Sequence, residues 1–233
     1  MTPTSWLRGF LGRIAHGAWL LLAGSIVLSG AGRVAAADAQ ARDFSIQVDG
    51  KPAGDYHMTI RRQDDGTTSL SAQSDVKVAV LLVTAYTYSY RGQEVWKDGR
   101  LQHFESTGKE NGKPFAVTAD ADEKGLRVKA DGKEFVLRPD AWTTSCWHLP
   151  DDRLRNQDIA LMGCDNGQSS TGRMQYVGQE RVQVAGQEQE CAHYRLMRDV
   201  PYELWYDDQD CLVREEWASN GHRTVLGLVH LGP

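Results

Sequence analysis

Cys146-Trp147-His148 sets a thiol and an imidazole two residues apart, on one side of an extended chain. A Cys–His pair so placed could generate a thiolate nucleophile, and Ser145 beside it offers a hydroxyl. A hydrolase with an unfamiliar site at Ser145 or Cys146 with His148 is therefore one reading of the chain. The competing reading is a disulfide with a bystander histidine. Cys146, Cys164, Cys191 and Cys211 are even in number, and no C-x-x-C knuckle of a zinc site occurs among them. Of the three connectivities, Cys146–Cys164 and Cys191–Cys211 close loops of similar length and are favoured. Each bridge would contribute about 3 kcal/mol.

Other reactive residue types are spread along strands and turns. His103 and Glu105 share a strand face, where a solvated surface explains them as well as a proton relay does. Asp64-Asp65-Gly66 and Asp207-Asp208-Gln209-Asp210 offer oxygen ligands for calcium. The second lacks the glycine and terminal glutamate of a twelve-residue calcium loop, so turn chemistry is the better account. There is no Gly-x-Ser-x-Gly elbow, no His-Glu-x-x-His and no phosphate-binding Gly-rich loop. No catalytic residue, metal or cofactor is assigned. Tyr86, Tyr88 and Tyr90 instead fall on one face of a strand, and Trp142 and Trp147 flank Thr143-Thr144-Ser145. Phenols in a row can line an apolar hollow and still offer hydroxyls to a ligand's polar end. They can equally form a ladder of cross-strand pairs, worth about 0.2–1 kcal/mol each. The tryptophans suit a lid over a β-cup or a plain loop packed on its end. Tyr86, Tyr88, Tyr90, Trp142 and Trp147 are the candidate ligand-binding residues.

These residues must be positioned by strands. Seven Asp-Gly or Asn-Gly pairs punctuate the chain at 49, 65, 98, 111, 131, 166 and 220. Such pairs tolerate the positive φ of type I′ hairpin turns. Between them Phe44, Ile46 and Val48, then Tyr56, Met58 and Ile60, then Phe115, Val117 and Ala119 alternate with polar residues. Further strands are expected at 173–184, 190–197, 202–206, 212–217 and 224–231. The fold predicted is all-β: a large curved antiparallel meander of about 12–14 strands, open or closed like a barrel. Residues 138–156 break the meander as one long crossover, carrying a short helix after Pro150. It divides a single domain over 38–233 into a first half of sheet at 42–137 and a second at 157–231. Glu94-Val95-Trp96-Lys97-Asp98 and Glu203-Leu204-Trp205-Tyr206-Asp207 give the halves a faint likeness, which a duplication or hairpin chemistry alone would produce.

The chain has 233 residues and a formal net charge of −5. An acidic chain without a long basic run is a poor nucleic-acid binder. Residues 1–37 hold Arg8, Arg13 and Arg33 and no acid, then a 12-residue apolar run at 17–28, then Ala35-Ala36-Ala37. Basic start, short apolar centre and small-residue end form a secretory signal peptide, with cleavage expected after Ala37 or Ala39. The run is shorter than the roughly 20 residues of a membrane span. The mature chain is expected to lack a transmembrane segment and to reside in a bacterial periplasm or outside the cell.

Phe44-x-Ile46-x-Val48-x-Gly50-Lys51-Pro52-x-Gly54, Val83-Thr84-x-Tyr86-x-Tyr88 and Glu94-x-Trp96-x-x-Gly99-Arg100-Leu101 occur in order. They are followed by Asn111-Gly112-Lys113, Thr144-Ser145-x-Trp147, Tyr194-Arg195-Leu196 and Trp205-Tyr206-Asp207 with Leu212-Val213. In this order the motifs resemble a domain-of-unknown-function family of exported, β-rich bacterial proteins, over residues 42–231. The resemblance implies export and a curved antiparallel sheet, and no catalytic residue. Cys146 and Cys211 depart from that family's pattern, so a disulfide would be a local addition. The leading expectation is a periplasmic binding or carrier protein for an apolar, lipid-like molecule. The alternative is an envelope assembly protein that docks a protein partner through strand edges or the tryptophan-bearing crossover.

Overall fold

The computed structural model describes residues 38–80 and 83–233. The expected leader at 1–37 lies outside the described residues. Strands β1 (Asp38–Val48), β2 (Lys51–Arg62), β3 (Thr67–Val80), β4 (Val83–Lys97), β5 (Arg100–Glu110), β6 (Lys113–Asp122), β7 (Gly125–Ala130) and β8 (Lys133–Leu137) form the first half. Strands β9 (Trp142–Thr143), β10 (Asp158–Met162), β11 (Ser169–Val184), β12 (Gln187–Met197), β13 (Tyr202–Tyr206), β14 (Leu212–Ser219) and β15 (His222–Gly232) form the second.

All fifteen belong to one sheet, in the order β8-β7-β6-β5-β4-β3-β2-β1-β15-β14-β13-β12-β11-β10-β9. The first and last strands meet at its centre, Phe44 opposite Leu228 and Ile46 opposite Leu226. Each half then winds outward by hairpins, and β8 and β9 remain unjoined edges. The meander is therefore as the alternation predicts, one strand longer than the upper expectation. It is also mixed, because Trp142 and Thr143 pair in parallel with Leu161 and Met162. The helix expected after Pro150 is a single 3-10 turn, Asp152–Leu154, with the Asp151 side chain accepting from the Arg153 N–H.

Turn chemistry sets the hairpins. Both residues of Asp49-Gly50, Asp98-Gly99, Asn111-Gly112, Asp131-Gly132 and Asn220-Gly221 have positive φ, as a type I′ turn requires. Ala185-Gly186 joins them at φ 48° and 81°, a hairpin that no Asn or Asp announces. Bulges in β15, β2, β5 and β14 bend the strands and help the sheet curl.

The alternating residues fill the concave face. Phe44, Met58, Ile60, Leu70, Phe104, Val117, Val128, Leu196 and Leu204 are all buried there. The likeness between the halves does not extend to structure. Trp96 faces this core, whereas Trp205 lies on the convex face, where His193 stacks on it at 4.4 Å and Arg214 approaches at 5.6 Å.

Candidate functional site

The two ends of the curl are built differently. At one end the crossover runs inside the sheet and closes it. Ala141, Trp142, Thr143, Cys146, Trp147 and Leu149 are buried. Their backbone is tied to the β13–β14 turn: Leu212 N–H donates to Trp147 O at 2.9 Å and Leu149 N–H to Asp210 O at 2.9 Å. The far wall is held as well, through Ser106 Oγ donating to Cys164 O at 2.5 Å and Gly167 packed on Val117, Val128 and Ala130. Trp142 and Trp147 are thus a plug, and neither is presented to a partner from the surface.

Glu94 anchors this plug. It is 1 % exposed, and its Oε2 accepts from Trp96 Nε1 (2.7 Å), Thr143 Oγ1 (3.1 Å) and Trp147 Nε1 (3.2 Å). Burial raises its carboxyl above the ordinary range, and these donors, with Ser145, pull it back. His148 sits against the same group, 4.0 Å from the Trp147 ring and 5.0 Å from that of Trp96. Burial lowers its imidazole to about 4, so the ring is neutral and its Nδ1–H donates to Leu149 O at 2.6 Å. Arg42, fully buried, seals the end by pairing with Asp207 at 2.6 Å and donating to Leu212 O at 3.1 Å.

The Cys146–His148 arrangement does not make a nucleophile. Burial pushes the Cys146 thiol well up, and the imidazole beside it hydrogen-bonds backbone, not sulfur. Nor are the expected disulfides formed. Cys146, Cys164, Cys191 and Cys211 are four free, buried thiols. Arg62 Nη2 donates to Cys211 Sγ at 3.0 Å, and the Cys191 Sγ donates to Gln189 O at 3.8 Å. Each behaves as a small core side chain; loop length in sequence does not aim two Cβ vectors at one another.

The acidic turns serve themselves. Asp65 is lowered to about 2, chiefly by the Thr67 N–H. Asp207 Oδ1 accepts from Gln209 and Cys211 N–H while Oδ2 holds Arg42. Among the described residues no three His, Cys, Asp or Glu are grouped to hold a metal ion. His103 pairs across the strands with Asp120 at 2.7 Å on the convex face.

The other end is open. Val76, Tyr86, Tyr88, Phe115, Tyr202 and Trp217 are half-buried. Tyr86, Tyr88 and Tyr90 all face inward on β4, in line with Glu94 and Trp96. Tyr88 stacks with Tyr90 at 6.4 Å and with Phe115 at 6.0 Å. The Tyr90 ring folds along the strand over Gly92, where a Cβ would stand 2.1 Å from its hydroxyl. Burial raises the Tyr86, Tyr88 and Tyr90 phenols, so all three are neutral. The tyrosine row therefore runs from the mouth toward the plug. It is joined to Trp142 and Trp147 only through the closed end.

Two features of the mouth are absent from the sequence reading. On the second half, Tyr202 stacks on Trp217 at 5.4 Å, with the Arg198 guanidinium 5.3 Å over the Tyr202 ring. Beside them Glu215 is buried, its carboxyl raised to about 8 by burial against the pull of Arg198. Asp165, raised to about 6 by burial, sits between the walls: its charge acts on Tyr86 and Tyr88 and on Tyr202. Alternation in 212–217 could have pointed to Glu215 as an inward acid, since it interrupts an otherwise apolar face.

Comparison with known proteins agrees with this architecture. The model of the family Domain of unknown function (DUF6134) matches residues 44–228. The chain belongs to this family. Among curated proteins none matches it. A crystal structure of a beta-barrel-like protein of domain of unknown function DUF1849 from Brucella abortus is similar at TM-score 0.59 and 9% identity, covering 83% of this chain and 96% of that one. A DUF1089 family protein from Pseudomonas aeruginosa aligns at TM-score 0.41 and 11% identity, over 82% and 95%. The first likeness is one of fold. Among the described residues of this DUF6134 chain, no helix is long and apolar enough to cross a membrane.

Proposed function

We propose that this DUF6134 protein is an exported binding or carrier protein, and that its open mouth receives an apolar, lipid-like molecule. The observation that carries this reading is the contrast between the ends. Inward-facing aromatics are fully covered by the crossover at one end and left half-covered at the other. A sheet that needed only a core would fill both. Tyr86, Tyr88, Phe115, Tyr202 and Trp217 offer apolar ring faces to a chain or ring system, with phenol oxygens for a polar end. The basic, apolar and small-residue parts of residues 1–37 support export to the periplasm.

Native mass spectrometry and lipid extraction of protein purified from the periplasm test both parts. A retained apolar molecule, lost on Tyr88→Ala, is the expected result. Protein confined to the cytosol would refute export; a ligand-free protein that also fails to take up added lipid would refute the cup.

A second reading, an envelope assembly protein, is favoured by Tyr176 and Val177, adjacent exposed apolar residues at the bulge of β11. Crosslinking in cells separates it. A specific protein adduct abolished by Tyr176→Lys, with no small molecule retained, would replace the carrier reading.

A further inference from the structure

Glu215 on β14 lies opposite Leu204 of β13 and Leu226 of β15, both buried, so its carboxyl points into the curl. The residue is 8% exposed. Among the described residues no hydrogen bond or ion pair reaches that carboxyl; burial and the more distant Arg198 are the influences on it. A largely buried acid with no protein donor is costly, and a group from outside that reaches it through the remaining 8% of exposure relieves that cost.

The groups facing it cannot supply the missing charge. Tyr56 comes from β2, Tyr202 and Tyr206 from β13, and Cys146 from the crossover; burial raises all four, which are neutral. Asp165 and Glu110 add acid at the mouth, where Glu110 acts on Tyr86 and Asp165. Of these carboxyls, Glu215 and Asp165 both feel the Arg198 guanidinium, so two acids share one cation among the described residues. That guanidinium already lies on the face of Tyr202, so the aromatic wall accepts a cation.

We propose that the mouth binds an organic cation carried on an apolar tail, with Glu215 as its counter-ion and Tyr86, Tyr88, Tyr202 and Trp217 as its walls. The proposal deepens the carrier reading and rests on it. Binding transfers the Glu215 proton to solvent: the O–H bond breaks, the carboxylate stays in the site, and the ligand's positive charge replaces the proton. Affinity for a cation therefore rises with pH until Glu215 is already ionised.

Protein produced from the full-length chain would be titrated calorimetrically with n-decyltrimethylammonium below its micelle concentration. This cation has no titratable proton, so any proton released comes from the protein. Decanol and decanoate are the chain-matched neutral and anionic probes. We expect the cation to bind at least about tenfold tighter than either. We also expect release of about one proton at pH 7, and affinity rising roughly tenfold or more from pH 6 to 8. Glu215→Gln mimics the neutral acid, so the fold is kept while proton release above pH 7 is lost and cation affinity falls about tenfold. Arg198→Gln should tighten the cation and would abolish binding if the site were made for anions. Decanol or decanoate binding as tightly as the cation, or cation binding without proton release, would overturn the proposal and leave the cup standing. Binding of none of the three would overturn both.

Discussion

Each end of the curled sheet holds one buried glutamate on its concave face, and the two are treated in opposite ways. Glu94 at the closed end accepts from two indoles and a hydroxyl, of which Trp147 and Thr143 tie β4 to the crossover. Glu215 at the open end receives no donor and rises to about 8. The residue type, burial and strand setting are alike; the difference is whether another segment was brought in to donate to the carboxyl, which for Glu94 fills Oε2 and leaves Oε1 without a partner. Where one was, the acid is part of the framework. Where none was, it is free to meet something from outside. Burial alone therefore does not distinguish a structural acid from a functional one, but the inventory of its donors does.

The comparison breaks most visibly at the closed end. Trp147→Ala removes a buried ring and a donor to Glu94, and should destabilise by about 3–5 kcal/mol in chemical denaturation. A loss under about 1 kcal/mol would mean that the crossover is not the plug described. Arg42→Ala leaves Asp207 buried without its partner and should cost about 3 kcal/mol, read the same way.

The open end should respond to pH before it responds to truncation. Glu215 binds its proton more tightly folded, at about 8, than unfolded, near the ordinary value of 4.5. The stability this gives is fully present below about 4.5 and is lost as pH rises toward 8, since the unfolded chain then holds fewer protons. At about 1.4 kcal/mol per pH unit, the loss is of the order of a few kcal/mol. Thermal unfolding followed from pH 5 to 9 should show it, and Glu215→Gln should flatten it. His148 works in the other direction. Its folded value of about 4 lies below the ordinary 6.5, so its contribution is lost as pH falls from about 6.5 through 4. His148→Phe should remove that acid-side slope.

Tyr88→Leu at the mouth is the mildest change. It keeps apolar bulk at a half-buried site and should alter stability by less than about 1.5 kcal/mol. A larger loss would place the tyrosine row in the core and not in a ligand wall.

Much of this could be read before any coordinates. Five of the Asp-Gly and Asn-Gly pairs form the hairpin turns expected, and Phe44, Met58, Ile60, Val117 and Ala119 face the core as their alternation requires. Ala185-Gly186 escaped notice because alanine rarely takes positive φ, so its type carries no turn signal. The inward face of Tyr86, Tyr88 and Tyr90 was legible for the same reason of period two. That Trp142 and Trp147 lie inside as a plug was not, because an irregular segment has no period to tell inside from outside. The expected disulfides failed on similar grounds: even number and loop length describe the chain, and thiol pairing depends on Cβ direction.

The amino-acid order alone determined a meander of hairpins with one apolar face, since φ preferences at turns and side-chain alternation along strands are local properties. Only the tertiary structure decided which end of that face is filled. Glu94 and its crossover donors, Thr143 and Trp147, are 49 and 53 residues apart in the chain, and Tyr86, Asp165 and Tyr202 come from three separate segments. Whether distant segments meet to satisfy a buried acid, or stay apart and leave it open, is set by the curl of the whole sheet, which no local stretch of residues encodes.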